Sequence, residues 1–271
     1  MTSRNPSTPS RWAWALPFLA AGFVVACQDS LSVDIPDDTW GFVELPTLSA
    51  GGSAYQVVPE AFFFRGRLGG VPNSDFVFDS CNTVAYSAGG ELGGVTYIDA
   101  GAEIAFTVGA TATTLERQVS QTRTFYEATG GAIPFTPGDS VSVTVPGAVG
   151  GYPQSSVRAK TAEAFTINQV TVPAGTEAIQ LQWTPASDLN SAMIVALRFA
   201  SEGATTQNRQ VLCPFVDDGV DSIPFRFYDE WASGETQSVV ATRLRTRYVV
   251  APGSAILGVV STFQVPTPNT P

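Results

Sequence analysis

From about residue 41 onward the chain alternates apolar and polar positions with a period of two. Val141, Val143 and Val145 alternate with Ser142 and Thr144. Ile179, Leu181 and Trp183 alternate with Gln180 and Gln182, and Met193, Val195, Leu197 and Phe199 alternate with Ile194, Ala196 and Arg198. Ile223, Phe225 and Phe227 fall on the side opposite Arg226 and Tyr228. Such alternation predicts strands with one face in a core and the other toward solvent. Turn signals punctuate the runs: Gly-Gly at 51–52, 69–70, 89–90, 93–94 and 130–131, Pro-Gly at 137–138, 146–147 and 252–253, and Asp-Asp-Gly at 217–219. Short strands, frequent turns and no long amphipathic pattern predict an all-β sandwich or barrel.

The stretch 146–164 is loop-like and has strand-patterned sequence on both sides. It divides the body into an expected domain one at 41–160 and domain two at 164–266, with 267–271 as a frayed tail. The alternative is one larger sandwich whose halves share sheets.

The first 40 residues follow other rules. Residues 1–11 carry Arg4 and Arg11 and no acid, and Trp12–Ala26 run fifteen residues without a charge. That run is shorter than the roughly 20 apolar residues of a membrane-spanning helix and fits the apolar region of a secretory signal peptide. It ends in Val24-Val25-Ala26-Cys27, which resembles the lipobox of bacterial lipoproteins. The resemblance implies cleavage after residue 26, acylation of Cys27 and attachment to a membrane. The competing reading is an ordinary signal peptide that ends near a cysteine. Two or more acyl chains anchor stably where one does not. By resemblance to the enteric sorting rule, Gln28 after the cysteine implies transfer to the outer membrane. Residues 27–40 then form a lipidated tether, acidic and broken by Pro36.

Two further resemblances concern the body. Ile179-Gln-Leu-Gln-Trp183-Thr-Pro185 and the 193–199 alternation look like the second and third strands of fibronectin type III and related immunoglobulin-like domains, where a Trp packs into the core. The implied fold class is all-β, with two immunoglobulin-like antiparallel β-sandwich domains after a signal peptide and short tether. Ile98-Asp-Ala-Gly101, Phe135-Thr-Pro-Gly138, the Trp183 strand and Cys213 together resemble uncharacterised secreted bacterial β-sandwich proteins. That likeness transfers an architecture and no mechanism.

Composition narrows the chemistry. The 271 residues include no histidine, which excludes Ser-His-Asp and Cys-His catalysis and His-ligated zinc. Lys and Arg number 14 against 24 Asp and Glu, a net charge of −10. Without Arg4 and Arg11 the balance is 12 to 24, and such a surface repels nucleic-acid phosphates. With Cys27 acylated, Cys81 and Cys213 remain as an even pair in an oxidising compartment. They form either a disulfide or two separate buried thiols.

Three stretches carry candidate chemistry. Thr242-Arg-Leu-Arg-Thr-Arg-Tyr248 puts Arg243, Arg245 and Arg247 on one strand face, roughly 7 Å apart, able to clamp carboxylates or phosphates. The plainer reading is a solvated face paired with neighbouring acids. Arg65 and Arg67 repeat the pattern more weakly. Tyr228-Asp-Glu-Trp231 at a strand end or loop sets aromatics beside carboxylates, a lectin-like arrangement with Trp231 as the platform, or an edge-packing aromatic. Asp217-Asp-Gly219 and Asp221 lack the spacing of a calcium loop and read as a turn with exposed acids.

The expectation is therefore an envelope lipoprotein held at the membrane by its lipid, non-catalytic, with a binding or structural role and no cofactor. Its partner would be an envelope protein or a glycan. A carbohydrate- or cell-wall-binding module is the alternative, and a carboxylate-based glycosidase a distant third.

Overall fold

Alternation along the body becomes strand after strand, and the ladder they form is nearly continuous. The computed structural model describes residues 39–49, 54–66, 78–86, 95–120, 123–187, 190–267 and 269–270. In chain order the strands are β1 (Thr39–Ser49), β2 (Tyr55–Val57), β3 (Glu60–Arg65), β4 (Asn82–Ala85), β5 (Thr96–Tyr97), β6 (Glu103–Val108) and β7 (Thr111–Val119). Next come β8 (Thr124–Ala128), β9 (Ile133–Phe135), β10 (Ser140–Val145), β11 (Ser155–Lys160), β12 (Val170–Thr171) and β13 (Ile179–Gln182). The last are β14 (Ser191–Ala200), β15 (Arg209–Val216), β16 (Val220–Ile223), β17 (Glu235–Val250), β18 (Ile256–Thr267) and β19 (Asn269–Thr270). One helix, α1 (Phe225–Ser233), stands between β16 and β17. Among the described residues the protein is all-β, with a sandwich-like layering and no closed barrel.

The main sheet runs β11-β10-β6-β7-β8-β3-β1-β18-β17-β14-β15-β4. Its pairs are antiparallel except β1 with β18, which lie parallel with Trp40 opposite Ile256 and Phe42 opposite Gly258. Strand β11 also lies against β17 and β18, so the sheet curls over a first core. That core holds Val43, Leu45, Phe63, Ile104, Phe106, Tyr126, Val141, Val143 and Val145, and also Leu257 and Val259 from the far end of the chain. A second core lies between the β17-β14-β15 face and a cover made by the β13–β16 pair, residues 162–167 and α1. It includes Trp183, Met193, Val195, Leu197, Phe215, Tyr228 and Trp231. Residues 37–271 form one unit.

Cys81, just before edge strand β4, is bonded to Cys213 on β15. The bridge joins residues 132 apart in sequence and contributes roughly 4–5 kcal/mol in the chain-entropy view.

Two expectations change. Ser155–Lys160, within the stretch expected to be loop, pairs with β10 as the ladder's end strand. Alternating Val157 and Ala159 against Arg158 and Lys160 suffices for a strand once β10 is beside it. The alternation expected at 223–227 stops at Ile223, and Phe225–Ser233 is helical. Pro224 precedes the helix in an extended conformation, φ −61° and ψ 146°, where its missing N–H costs nothing. Tyr228 and Trp231, three residues apart, then bury one helical face.

The two quoted loop motifs have physical reasons. In Ile98-Asp-Ala-Gly101 the Asp99 carboxylate accepts the Gly101 N–H at 2.8 Å and the Tyr126 hydroxyl at 2.9 Å. Gly101 has φ +117°, and a Cβ there would sit 2.6 Å from Pro146. In Phe135-Thr-Pro-Gly138 the Thr136 N–H donates to Asp139 at 2.9 Å, closing the turn before β10.

Candidate functional site

Strand β17 passes through both cores, and its inner face changes character on the way. Val239 and Ala241 belong to the second core, and Val249 and Ala251 reach the first. Between them the same face carries Arg243, Arg245 and Arg247. Beside it β18 presents Ser261, which is fully buried and accepts the Ala162 N–H at 2.9 Å. A polar seam thus separates two apolar regions.

Arg243 is the buried end of that seam, 1% exposed. Its Nε donates to Asp217 Oδ2 at 2.6 Å and its Nη2 to Oδ1 at 2.8 Å, a two-pronged ion pair. The remaining donors reach the carbonyls of Glu163, Ala164 and Thr184, and the guanidinium lies over the Phe165 ring. Asp217 in turn accepts the Trp183 indole N–H at 2.9 Å and the Ser191 hydroxyl at 2.8 Å. Asp217 is therefore no exposed turn acid. Its charge is buried because four donor contacts compensate it, two of them from the Arg243 guanidinium, which is what a carboxylate in a core requires. Every Arg243 contact is internal, so no face of it remains for a ligand.

Arg245, one step along, is also largely buried and faces Glu163 at 3.9 Å. Glu163 accepts the Ser187 hydroxyl and, at 2.9 Å, the Ser187 N–H. The Ser187 hydroxyl foremost, then its N–H and the guanidiniums of Arg243 and Arg245, hold the Glu163 carboxyl below its ordinary range against the opposing effect of burial.

Arg247 is exposed, and here the seam opens. A cleft of about 400 Å³ lies between β11 and β17. Arg158 and Lys160 line it from β11, Arg245 and Arg247 from β17, with Asn190 and Thr246 at its margin. Four of the chain's 14 cations meet there, and no carboxylate is among the lining residues. Among the described residues, Arg158, Lys160 and Arg247 have no acid within ion-pair distance. Apart from Ala159 the lining is polar, and it offers donors suited to an anion flanked by hydroxyls or amides.

The remaining candidates lie elsewhere. Trp231 is fully buried on α1, its indole N–H donating to the Arg198 carbonyl at 3.2 Å, so it shows no ring face to solvent. Tyr228 is buried with it and donates to the Glu177 carbonyl. Glu230 is on the exposed side of the helix, paired with Arg209 at 3.3 Å. Arg65 donates to the Gly150 carbonyl at 3.0 Å, and Arg67 lies outside the described residues, as does Cys27. Cys81 and Cys213 meet in the disulfide. Arg158 and Lys160 were not anticipated. Their only signal was an alternating Arg-Ala-Lys, whose meaning depends on the strand that faces it.

Compared with known proteins, the chain matches no protein family, no curated protein and no solved structure.

Proposed function

We propose that this is a lipid-anchored cell-envelope protein, non-catalytic, whose folded body binds an anionic glycan in the cleft between β11 and β17. The observation that carries the reading is the convergence of Arg158, Lys160, Arg245 and Arg247 in a body with 20 acids and 12 bases. Like charges gathered on two strands cost stability, and an anion relieves that repulsion. Each hydrogen bond between a cation and an anionic ligand contributes roughly 1.5–3 kcal/mol. The body's overall negative charge does not oppose this strongly, since exposed charges are screened beyond about 8 Å at physiological ionic strength. Sugar hydroxyls suit the Asn190 and Thr246 margin, and carboxylate or phosphate groups suit the cations.

Attachment through Cys27 and an outer-membrane location are supported by the charged leader, the fifteen-residue apolar run and the lipobox-like Val24–Cys27. A Cys81–Cys213 bridge suits an oxidising envelope. Kinship with immunoglobulin-like domains is supported by Trp183, which packs in the second core from an alternating strand.

The test is an array of glycans and peptidoglycan fragments probed with the detergent-solubilised chain and with an Arg158→Ala/Lys160→Ala/Arg247→Ala variant. Arg243 and Arg245 are kept, so the seam stays intact. Salt-sensitive binding to acidic glycans that the variant loses is the expected result. Equal binding by both proteins, or none by either, would sink the proposal.

A further inference from the structure

The outer face of the sheet around β1 bears an aromatic surface with no role in the cleft. Cross-strand register sets it in rows. Val250, Ile256, Trp40, Phe64 and Tyr97 form one row across β17, β18, β1, β3 and β5. Tyr248, Gly258, Phe42, Phe62 and Phe125 form the next, ending on β8. Tyr248 lies across Gly258, where a Cβ would come within 2.7 Å of its ring, and so meets Phe42 edge-on. Trp40, Phe42, Phe62 and Phe64 stack on one another with centroids 5.7–6.1 Å apart and planes within 23°. Tyr248 is 46% exposed and Val250 79% exposed, and Trp40, Phe62, Tyr97 and Phe125 are half-buried.

Phe42 and Phe64 are buried within the stack, and Trp40 and Phe62 reach the outside only in part, so no free ring face is offered for a sugar and the exposed patch suits an apolar medium better. The face is also polar in its layout. One register step further from the β17–β18 turn, Glu44, Glu60 and Glu127 replace the aromatics. Chain entry falls at the aromatic end, because Thr39 opens β1 and Trp40 is in the first row. Eleven residues, 28–38, separate Cys27 from Thr39. They reach at most roughly 36–40 Å when fully extended.

We infer that this aromatic face seats on the lipid surface to which Cys27 is attached, with Trp40, Tyr97, Tyr248 and Val250 at the headgroup level and the glutamate row turned away. Trp and Tyr favour that interface because their rings have an apolar body and a polar tip. The inference rests on the lipid-anchor reading above and names what the anchored body does next. Anchor and face act together as two attachments, and the face fixes the body's orientation, which an anchor alone does not.

The mature chain has three tryptophans, and two of them, Trp183 and Trp231, are buried in the second core. Trp40 is therefore the residue that reports contact with lipid. The acylated full chain is reconstituted in phosphatidylcholine vesicles, with lipids brominated at shallow or deep acyl positions. Flotation measures anchoring, and fluorescence measures seating. The expected result is co-flotation with quenching by shallow bromines, down to the emission of the Trp40→Phe variant. A Tyr248→Ser/Val250→Ser variant should still co-float but lose that quenching. Co-flotation without quenching of Trp40 overturns the seating and leaves the anchor standing. Failure of the acylated chain to float overturns both. A dimer in detergent that Val250→Arg dissociates, with Trp40 shielded from bromine, assigns the face to a second copy and overturns the lipid contact.

Discussion

The hub around Asp217 and the cleft beside it are built from one strand face, two residues at a time, yet they treat the same side chain in opposite ways. Arg243 is enclosed, with its donors satisfied by a carboxylate and three carbonyls. Arg247 is exposed beside Arg158 and Lys160, with like charges for neighbours. The difference lies in what the opposite layer supplies. Behind Arg243, Asp217 and the carbonyls of Glu163, Ala164 and Thr184 bring acceptors. Opposite Arg247, β11 brings more cations. Spacing on a strand states which side chains share a face, and the facing layer decides whether they act as structure or as site.

The contrast can be broken in order of effect. Arg243→Ala or Asp217→Ala leaves its partner charged and buried, and should cost about 3–5 kcal/mol in urea unfolding. A loss under about 1 kcal/mol would mean that water reaches the hub. Arg243→Lys keeps the charge but replaces a planar fork making five contacts with an ammonium that has three donors, so Asp217 loses one prong and the three carbonyls cannot all keep a donor. Roughly 1–3 kcal/mol is expected, read as a lower urea midpoint with an unchanged slope.

Glu163 stands between the two regions and sharpens the comparison through pH. Its carboxyl is held below its ordinary range, so its contribution is complete above the unfolded-state pKa and drains away as pH falls through the folded-state value. Glu163→Gln should therefore lie below the native chain at neutral pH, by roughly 1 kcal/mol or less, with the gap closing as pH falls below the ordinary carboxylate range. A gap that widens on acidification contradicts the assignment. The smallest expected change in stability is that of Arg247→Ala, within about 0.5 kcal/mol. If binding to acidic glycans nevertheless falls in this variant, the strand divides into structural and binding halves. If the variant instead unfolds readily, Arg247 belongs with the hub.

Much of this was legible from residues alone. The alternations at 141–145, 179–183 and 193–199 are strands because each has its own apolar face, whatever pairs with it. The arginine triplet was visible for the same reason. Its division was not, since Asp217 and Glu163 come to β17 from distant segments and Asp217 looks like any turn acid. Helix α1 was hidden in a short aromatic run, where Ile223, Phe225 and Phe227 satisfy a period of two. Phe225, Tyr228 and Trp231 satisfy helical spacing equally well. Pro224 was the available signal, as a residue suited to opening a helix and ill suited to the interior of a sheet. The aromatic face was hidden by register, because Tyr248, Phe42 and Phe62 become neighbours only when β17, β18, β1 and β3 are aligned.

The parallel pairing of β1 with β18 has a consequence for biogenesis. β1 is the first strand of the body to leave a ribosome or a translocation channel, and its neighbour on one side, the segment beginning at Ile256, is among the last. Until that segment arrives, β1 has β3 on one flank and an open edge with bare N–H and C=O groups on the other. Contacts between chain ends form slowly, and an open edge invites pairing with another chain. The body therefore completes its sheet only after the segment from Ile256 has emerged, and a chain stalled short of residue 256 is left with the kind of edge from which aggregation starts.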